Sequence, residues 1–411
     1  MVETRVPGIY IEEEATGPRP IQAVGTSTVG FVGEAPDPKA FLNQAVDINN
    51  WSEFQRKFAN VDNPVSTPLS TAVYGFYQNA QGRCYIVNIG KEKTISSETG
   101  SRKGLALLKE IDDVAIVAAP GFTDPIHYNM LLEHCELLKD RFAILDAPPN
   151  VNSVGDLING PAVVAKPDSK KDKDKPASDA APVDPGKGPL IPRQSDKGFG
   201  AFYFPWIKVQ DPFNPNGDLV AAPPSGHIAG VYARVDAERG VHKAPANEII
   251  RGALGLTYPV TREEQADLND KCVNCIRPFP LQGIRIWGAR TLAGAASEWR
   301  YINVRRLFNM IEESIEESMR WVVFEPNDRP LWKSIKRDIG AFLTTLWRGG
   351  MLKGATPQEA FFVKCDEETN PPEIIDQGKV VTVIGIAPVK PAEFVIFKLG
   401  QSIAGTEVEV K

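Results

Sequence analysis

Histidine and cysteine are scarce in this chain, four and five respectively among 411 residues. The cysteines are odd in number and scattered apart from Cys272-Val-Asn-Cys275, which fits reduced thiols and not a disulfide framework. That pair lacks a second one at zinc spacing, and His127, His134 and Cys135 lie far off in sequence, so a four-ligand zinc site is not indicated. His227 and His242 fall near Ser225 and Asp236, but no GxSxG elbow accompanies them, and serine and aspartate are common enough to make such coincidences cheap. Glycine-rich loops ending in Gly-Lys-Ser or Gly-Lys-Thr are absent, and no GxGxxG follows a strand, so no nucleotide or other cofactor is expected.

Long apolar runs are missing too. None approaches the length that spans a bilayer, and the opening MVETRVPGIYIEEE has neither a basic nor an apolar signal region, so synthesis and folding in the cytoplasm are expected. The formal net charge of -6, without a concentrated basic patch, argues against nucleic acid as the main partner.

What is present is an alternation of apolar strands and helices. Strands are read at Thr28 to Gly33, Cys84 to Ile89, Val114 to Ala119 and Phe142 to Asp146, with helices from Asn50 or Ser52 to Phe58, Pro68 to Asn79, Gly104 to Ile111 and Asp124 to Lys139 between them. Strands that are apolar throughout and alternate with helices indicate a sheet covered on both faces and at least partly parallel, a mixed α/β fold. The later half adds an aromatic strand at Phe199 to Trp206, a capping-box helix from Thr261, and strands at Val273 to Phe279 and Gln282 to Trp287. Two long amphipathic helices follow, over Ile302 to Val322 and from Leu331 to Trp347. The first carries Glu312, Glu313, Glu316 and Glu317 outward, the second Lys333, Lys336 and Arg337. Between Ser225 and Gly240 one further helix carries Gly226, Ala229, Gly230 and Ala233 at spacings of three and four, a nearly bare face that another backbone can approach. Ser225 is read as its N-cap, and Tyr232, Arg234, Asp236, Glu238 and Arg239 as its polar outer face.

The ends are thin. Ordering the first twenty residues costs on the order of 20 to 40 kcal/mol, more than the few apolar side chains of Ile9-Tyr-Ile-Glu12 can offset, so residues 1–20 read as an arm. Residues 160–197 hold almost no large apolar side chain over Lys166 to Pro176 and beyond and read as a mobile surface loop. The strands Val380 to Ile386 and Phe394 to Leu399 precede a tail, Thr406-Glu-Val-Glu-Val-Lys411, that alternates like a strand without a visible partner. Two such ends gain hydrogen bonds by adding to another subunit's sheet edge, a head-to-tail contact that propagates into rings or helical filaments.

The run from Pro223 to Glu248, together with Gly288-Ala-Arg-Thr291 and Ala387-Pro-Val-Lys-Pro-Ala-Glu-Phe394, resembles the tail sheath proteins of contractile phage tails, R-type pyocins and extracellular contractile injection systems. The likeness is densest from about Phe199 to Leu399 and stays in register from Arg5 to Pro149. It implies an N-terminal arm (1–20), an outer α/β domain (21–250), an inner, tube-facing domain (251–400) and a C-terminal arm (401–411). Val6, Ile9, Tyr10 and Ile11 at one end and Val408 and Val410 at the other would add strands to neighbouring subunits, received at Val381, Val383, Phe394 and Ile396. Lys333, Lys336 and Arg337 would either face an acidic tube or form a solvated helix face. The resemblance also implies a structural, non-enzymatic subunit, part of a phage tail or tail-like particle. Its partners would be its own copies in a helical homo-oligomer, the inner tube, and baseplate and terminator or cap proteins, with no nucleic acid and no membrane insertion. A static tube or shell protein and an unrecognised α/β enzyme are the competing readings.

Overall fold

Short apolar runs separated by helices assemble one nine-stranded sheet at the centre of the protein, seen in a computed structural model that describes residues 20–92, 94–97, 102–160 and 189–396. Its strands are β1 (Val29–Gly33), β2 (Ala45–Ile48), β3 (Cys84–Asn88), β4 (Ile116–Ala118), β5 (Phe142–Asp146), β6 (Gly200–Phe204), β7 (Glu248–Ile249), β8 (Val273–Phe279) and β9 (Gly283–Trp287). They lie in the order β7-β9-β8-β6-β5-β4-β1-β3-β2. The six from β8 to β3 in that order run parallel, and antiparallel strands close both ends. Strands β1, β5 and β6 are buried along their whole length. Alternate side chains of these strands and of β3 feed two cores: Phe31, Ile86, Ile144 and Tyr203 on one face, Val32, Val87, Leu145 and Phe202 on the other.

The helices begin where side-chain caps allow. Asn50 caps α1 (Trp51–Phe58), Thr67 and Ser70 form a box at α2 (Pro68–Asn79), and Asp124 accepts from two backbone N–H groups at α3 (Pro125–Leu138). Beyond a short α4 (Val154–Asn159) and α5 (Ser225–Arg239), Thr261 and Glu264 close the expected box at α6 (Arg262–Asp270). The helix expected over 104–111 is a 3-10 turn, Leu105–Glu110, entered through Gly104 at φ 58°.

Helix α5 packs with its backbone directly against that of α2. A Cβ on Gly226 would stand 2.2 Å from the Ala72 carbonyl oxygen, and one on Gly230 2.7 Å from that of Phe76, so the backbones of α2 and α5 touch as the bare face requires. The polar outer face expected opposite is outside only at its end: Glu238 and Arg239 are exposed, but Tyr232 and Arg234 are buried, as is the Asp236 carboxylate. Ser225 does not cap the helix. It is the first helical residue, and its N–H and hydroxyl donate to the Asp146 carboxylate at 2.7 and 2.6 Å, so the cap comes from the end of β5. Burial pushes the Asp146 carboxyl up to about 7 against the pull of those bonds.

A second unit follows the sheet. Helices α7 (Ile302–Ser318) and α8 (Arg329–Arg348) pack through Leu307, Met310, Leu331, Ile335, Ile339 and Leu343. Antiparallel strands β10 (Phe361–Lys364) and β11 (Val383–Ile386) lie against them. The division expected at residue 250 would cut the large sheet, since β8 and β9 belong to it; the packing changes within α7, between Ile302, which is in the sheet's core, and Leu307, which is in that of the helical unit. Residues 21–24, expected with the sheet, pack instead on the helical unit, where Ile21 is buried and the Val24 N–H donates to the Ser314 hydroxyl.

The two units are locked by a buried ion pair. Arg306 on α7 donates to both Asp236 carboxylate oxygens, at 3.0 and 2.6 Å, and to the Thr26 carbonyl at 2.8 Å. Its guanidinium stacks 4.8 Å from the Tyr232 ring, whose hydroxyl meets that of Tyr203 at 2.6 Å. Beside it Thr26, Asp140, Asn309 and Glu313 line a cavity of about 10 Å³, room for one water.

Candidate assembly interface

Strands β10 and β11 pair only with each other among the described residues, so each has an outer edge with unpaired backbone groups. Period-two alternation sends Phe361 and Val363 of β10, and Ile384 and Ile386 of β11, toward the helices. The opposite face holds Phe362, 57% exposed, with its ring over Gly385, and Val383 beside it. Exposed aromatic side chains next to an unpaired edge mark a surface incomplete in the isolated subunit.

The expected strand over Val380 to Ile386 is shorter than read. The Val381 N–H donates to the Asn370 side chain, and its carbonyl accepts from the same amide, so this residue is tied to a turn and the strand starts at Val383. Phe394 and Ile396 are not in a strand; they stand exposed with Val395 between them. Just before them Glu393 is held by Arg290 at 2.8 Å, by the Tyr301 hydroxyl at 3.1 Å and by Asn269 at 3.3 Å. These contacts hold the Glu393 carboxyl below the usual range against its burial, Arg290 foremost. Val6, Ile9, Tyr10, Ile11, Val408 and Val410 lie outside the described residues, as does most of the expected loop over 160–197.

Lys333, Lys336 and Arg337 are all exposed on α8, as its periodicity requires. Lys336 and Arg337, with Gly340, Thr344, Pro357, Gln358, Phe361, Phe362 and Val363, line an open groove of about 560 Å³ between α8 and β10. Strand β10 was missed in the sequence, although Phe361-Phe-Val-Lys364 is a compact run of strand formers that follows directly on a one-turn helix, Pro357–Ala360. On α7, Glu312, Glu316 and Glu317 are exposed, but Glu313 is half-buried near Asp140 and is pushed up to about 8, by burial first and the neighbouring acids second.

The described residues hold no group of three or more His, Cys, Asp or Glu placed to bind a metal ion. Cys272 and Cys275 are buried thiols, and burial raises both. His227 is buried with both ring nitrogens unpartnered, far from the arrangement a base in a triad needs.

Residues 102–292 match the central domain of the phage tail sheath protein, and residues 295–401 match the phage tail sheath C-terminal domain. The chain belongs to the phage tail sheath protein family. Its structure is similar to the sheath of an extracellular contractile injection system, PVC, in the contracted state, with 29% identity, a TM-score of 0.74 and coverage of 98% of this chain and 99% of that one. The helical sheath of the anti-feeding prophage, also contracted, gives 30% identity, a TM-score of 0.72 and coverage of 97% and 100%. The tail sheath protein of Vibrio phage KVP40 is 32% identical over 177 residues, 42% of this chain; the match spans only 25% of that protein's own length.

Proposed function

We propose that copies of this chain polymerise helically around an inner tube and that the sheath so formed shortens to drive the tube through a target envelope. The observation that carries this reading is the two-stranded sheet of β10 and β11, open on both edges among the described residues, in a chain whose two ends have strand patterns and too little apolar mass to fold alone. Each strand gained from a neighbour satisfies backbone groups at about 1 kcal/mol per hydrogen bond, and four such bonds repeated along a helix make a continuous mesh. The likeness to two sheaths solved in the contracted state supports the mobile reading over a static tube.

In this reading the subunit is structural and not an enzyme, is made in the cytoplasm, and meets its own copies, a tube, a baseplate and a cap. The basic strip of Lys333, Lys336 and Arg337 has two candidate acidic partners, the tube and the acid-bearing ends of the chain itself. Negative-stain electron microscopy of the full chain beside a version lacking residues 1–20 and 401–411 tests the reading. Hollow helical cylinders from the first and none from the second are expected; monodisperse particles from both would overturn it. A static tube would show one helical state under every condition, a sheath two.

A further inference from the structure

At the joint between the sheet and the helical unit, one carboxyl has no partner among the described residues. Glu313 lies on α7 one turn beyond Asn309, whose side-chain amide donates to the Arg141 carbonyl at 3.2 Å and so holds the helix to the turn before β5. Glu313 is half-buried there and lines the one-water cavity with Asp140 and Arg306. The cations around it are already engaged. Arg141 donates to both oxygens of Asp140, at 2.7 and 2.8 Å, and to the carbonyls of Leu108 and Ile111. Arg306 holds Asp236, Arg305 reaches Glu312, and Arg320 stands 4.0 Å from Asp112 with both groups exposed. What faces Glu313 is therefore largely acidic: Asp140 from the turn before β5, Asp112 from the turn before β4, and Glu317 one turn on along α7. Residues 21–26, which run beside this part of α7, carry no charge.

A carboxylate in that setting loses hydration without gaining a cation of its own, whereas a neutral carboxyl stays there at little cost. We propose that Glu313 is a proton-operated lock on the joint: neutral, it lets α7 close on the turn at Asp140 and Arg141; ionised, it lifts the half of α7 beyond Asn309 off that turn. The first half stays in place, held by the buried pair of Arg306 with Asp236. The same pair fixes Thr26, whose carbonyl accepts from Arg306 and whose hydroxyl donates to Asp236 at 2.6 Å. Val24, two residues away, donates its N–H to the Ser314 hydroxyl at 3.0 Å, so lifting Ser314 while Thr26 is held breaks that bond. Burial first, then Asp140, Glu317 and Asp112, push the Glu313 carboxyl up to about 8 against the pull of Arg141, from an ordinary 4.5. The closed joint thus keeps a proton that the open one releases, and each rise in pH between those values favours opening. The lock acts within one subunit and needs no second copy.

The test is hydrogen exchange of the full chain, kept below any concentration at which it assembles, with rates divided by the intrinsic rate at each pH. Protection of the Val24 amide should fall by roughly tenfold or more between pH 6 and 8 and change little above pH 9, while that of Ile144 in β5 holds. Glu313→Gln, which keeps the shape of the neutral side chain, should stay protected across the range. Asp140→Asn removes the nearest like charge and frees Arg141, so it should move the fall to lower pH by about one unit. Protection of Val24 that does not change with pH in the parent would mean that the carboxylate turns into water without moving the helix, and would overturn the inference. So would a fall that survives Glu313→Gln, which would belong to another group, or one shared equally by Ile144, which would be a loosening of the whole chain. If Glu313→Gln does not fold, by its melting temperature, Asp140→Asn decides alone, and an unmoved midpoint rejects the lock.

Discussion

Arg290 and Glu393 are 103 positions apart in sequence and 2.8 Å apart in space. They belong to two runs, Gly288-Ala-Arg-Thr291 at the end of β9 and Ala387 to Phe394 after β11, so the pair ties the large sheet to the stretch from which the C-terminal segment departs. Arg290 is nearly buried and Glu393 about a fifth exposed, which places the pair between a surface bridge and a core one. Glu393→Ala would leave the guanidinium with the Asn269 carbonyl as its partner. A loss of about 2 kcal/mol is expected in urea titration, with faster proteolysis between residues 387 and 396. Glu393→Gln, which keeps an acceptor, should lose less; equal stability of all three chains would contradict the anchoring role.

The junction at Arg306 is amenable to a double-mutant cycle. Asp236→Leu alone leaves a buried cation, and Arg306→Met alone a buried carboxylate, and each should cost about 3 to 5 kcal/mol. The double variant should be less destabilised than the sum of the two by 1 kcal/mol or more, since no unpaired charge remains. Additive losses would show that the two groups do not depend on each other.

At the contact of α2 with α5 the backbones leave no room for a methyl group. Gly226→Ala raises helix propensity by about 1 kcal/mol, yet it must separate the helices, and overpacking of a core contact costs about 1 to 3 kcal/mol or more. A net fall in melting temperature is expected, larger for Gly226→Val. A rise with alanine would mean the helices part easily.

Acid should weaken the fold through two histidines. Burial lowers both His227 and His134 to about 3, helped at His134 by the Arg141 charge. The folded values lie below the unfolded ones, so the unfolded chain takes up protons first and stability falls as pH drops from about 6.5 toward 3. Each histidine should remove about 2 kcal/mol between pH 7 and 5. His227→Leu should reduce the slope of stability against pH by about 0.7 proton on average over that range, approaching one near pH 5, whatever it does to stability at neutral pH. An unchanged slope would show that the ring finds a partner when charged.

Much of the fold could be read from the chain because its signals are local. Asn50, one of the two caps offered there, and Thr261 start helices as read, the helices expected from Pro68 and Asp124 are present, and the all-apolar runs of β1, β5 and β6 lie in the parallel sheet. Long-range partners were not legible. Nothing near Ser225 announces that Asp146 would supply its cap, and nothing near Asp236 points to Arg306, 70 residues on. Polar residues on α5 look solvent-facing until the partners that pay their desolvation are known. Of the expected interface, Val383 lies in an open strand while Val381 is tied to Asn370, a difference set by one amide that the alternation of apolar residues does not encode.

The junction around Arg306 has a mechanical meaning. Its bidentate ion pair, stacked tyrosine and one-water cavity leave almost no slack between the sheet and the helical unit. A stiff joint of that kind bends little under load, so a subunit that turns must turn as a lever, with torque entering at one end and leaving at the other.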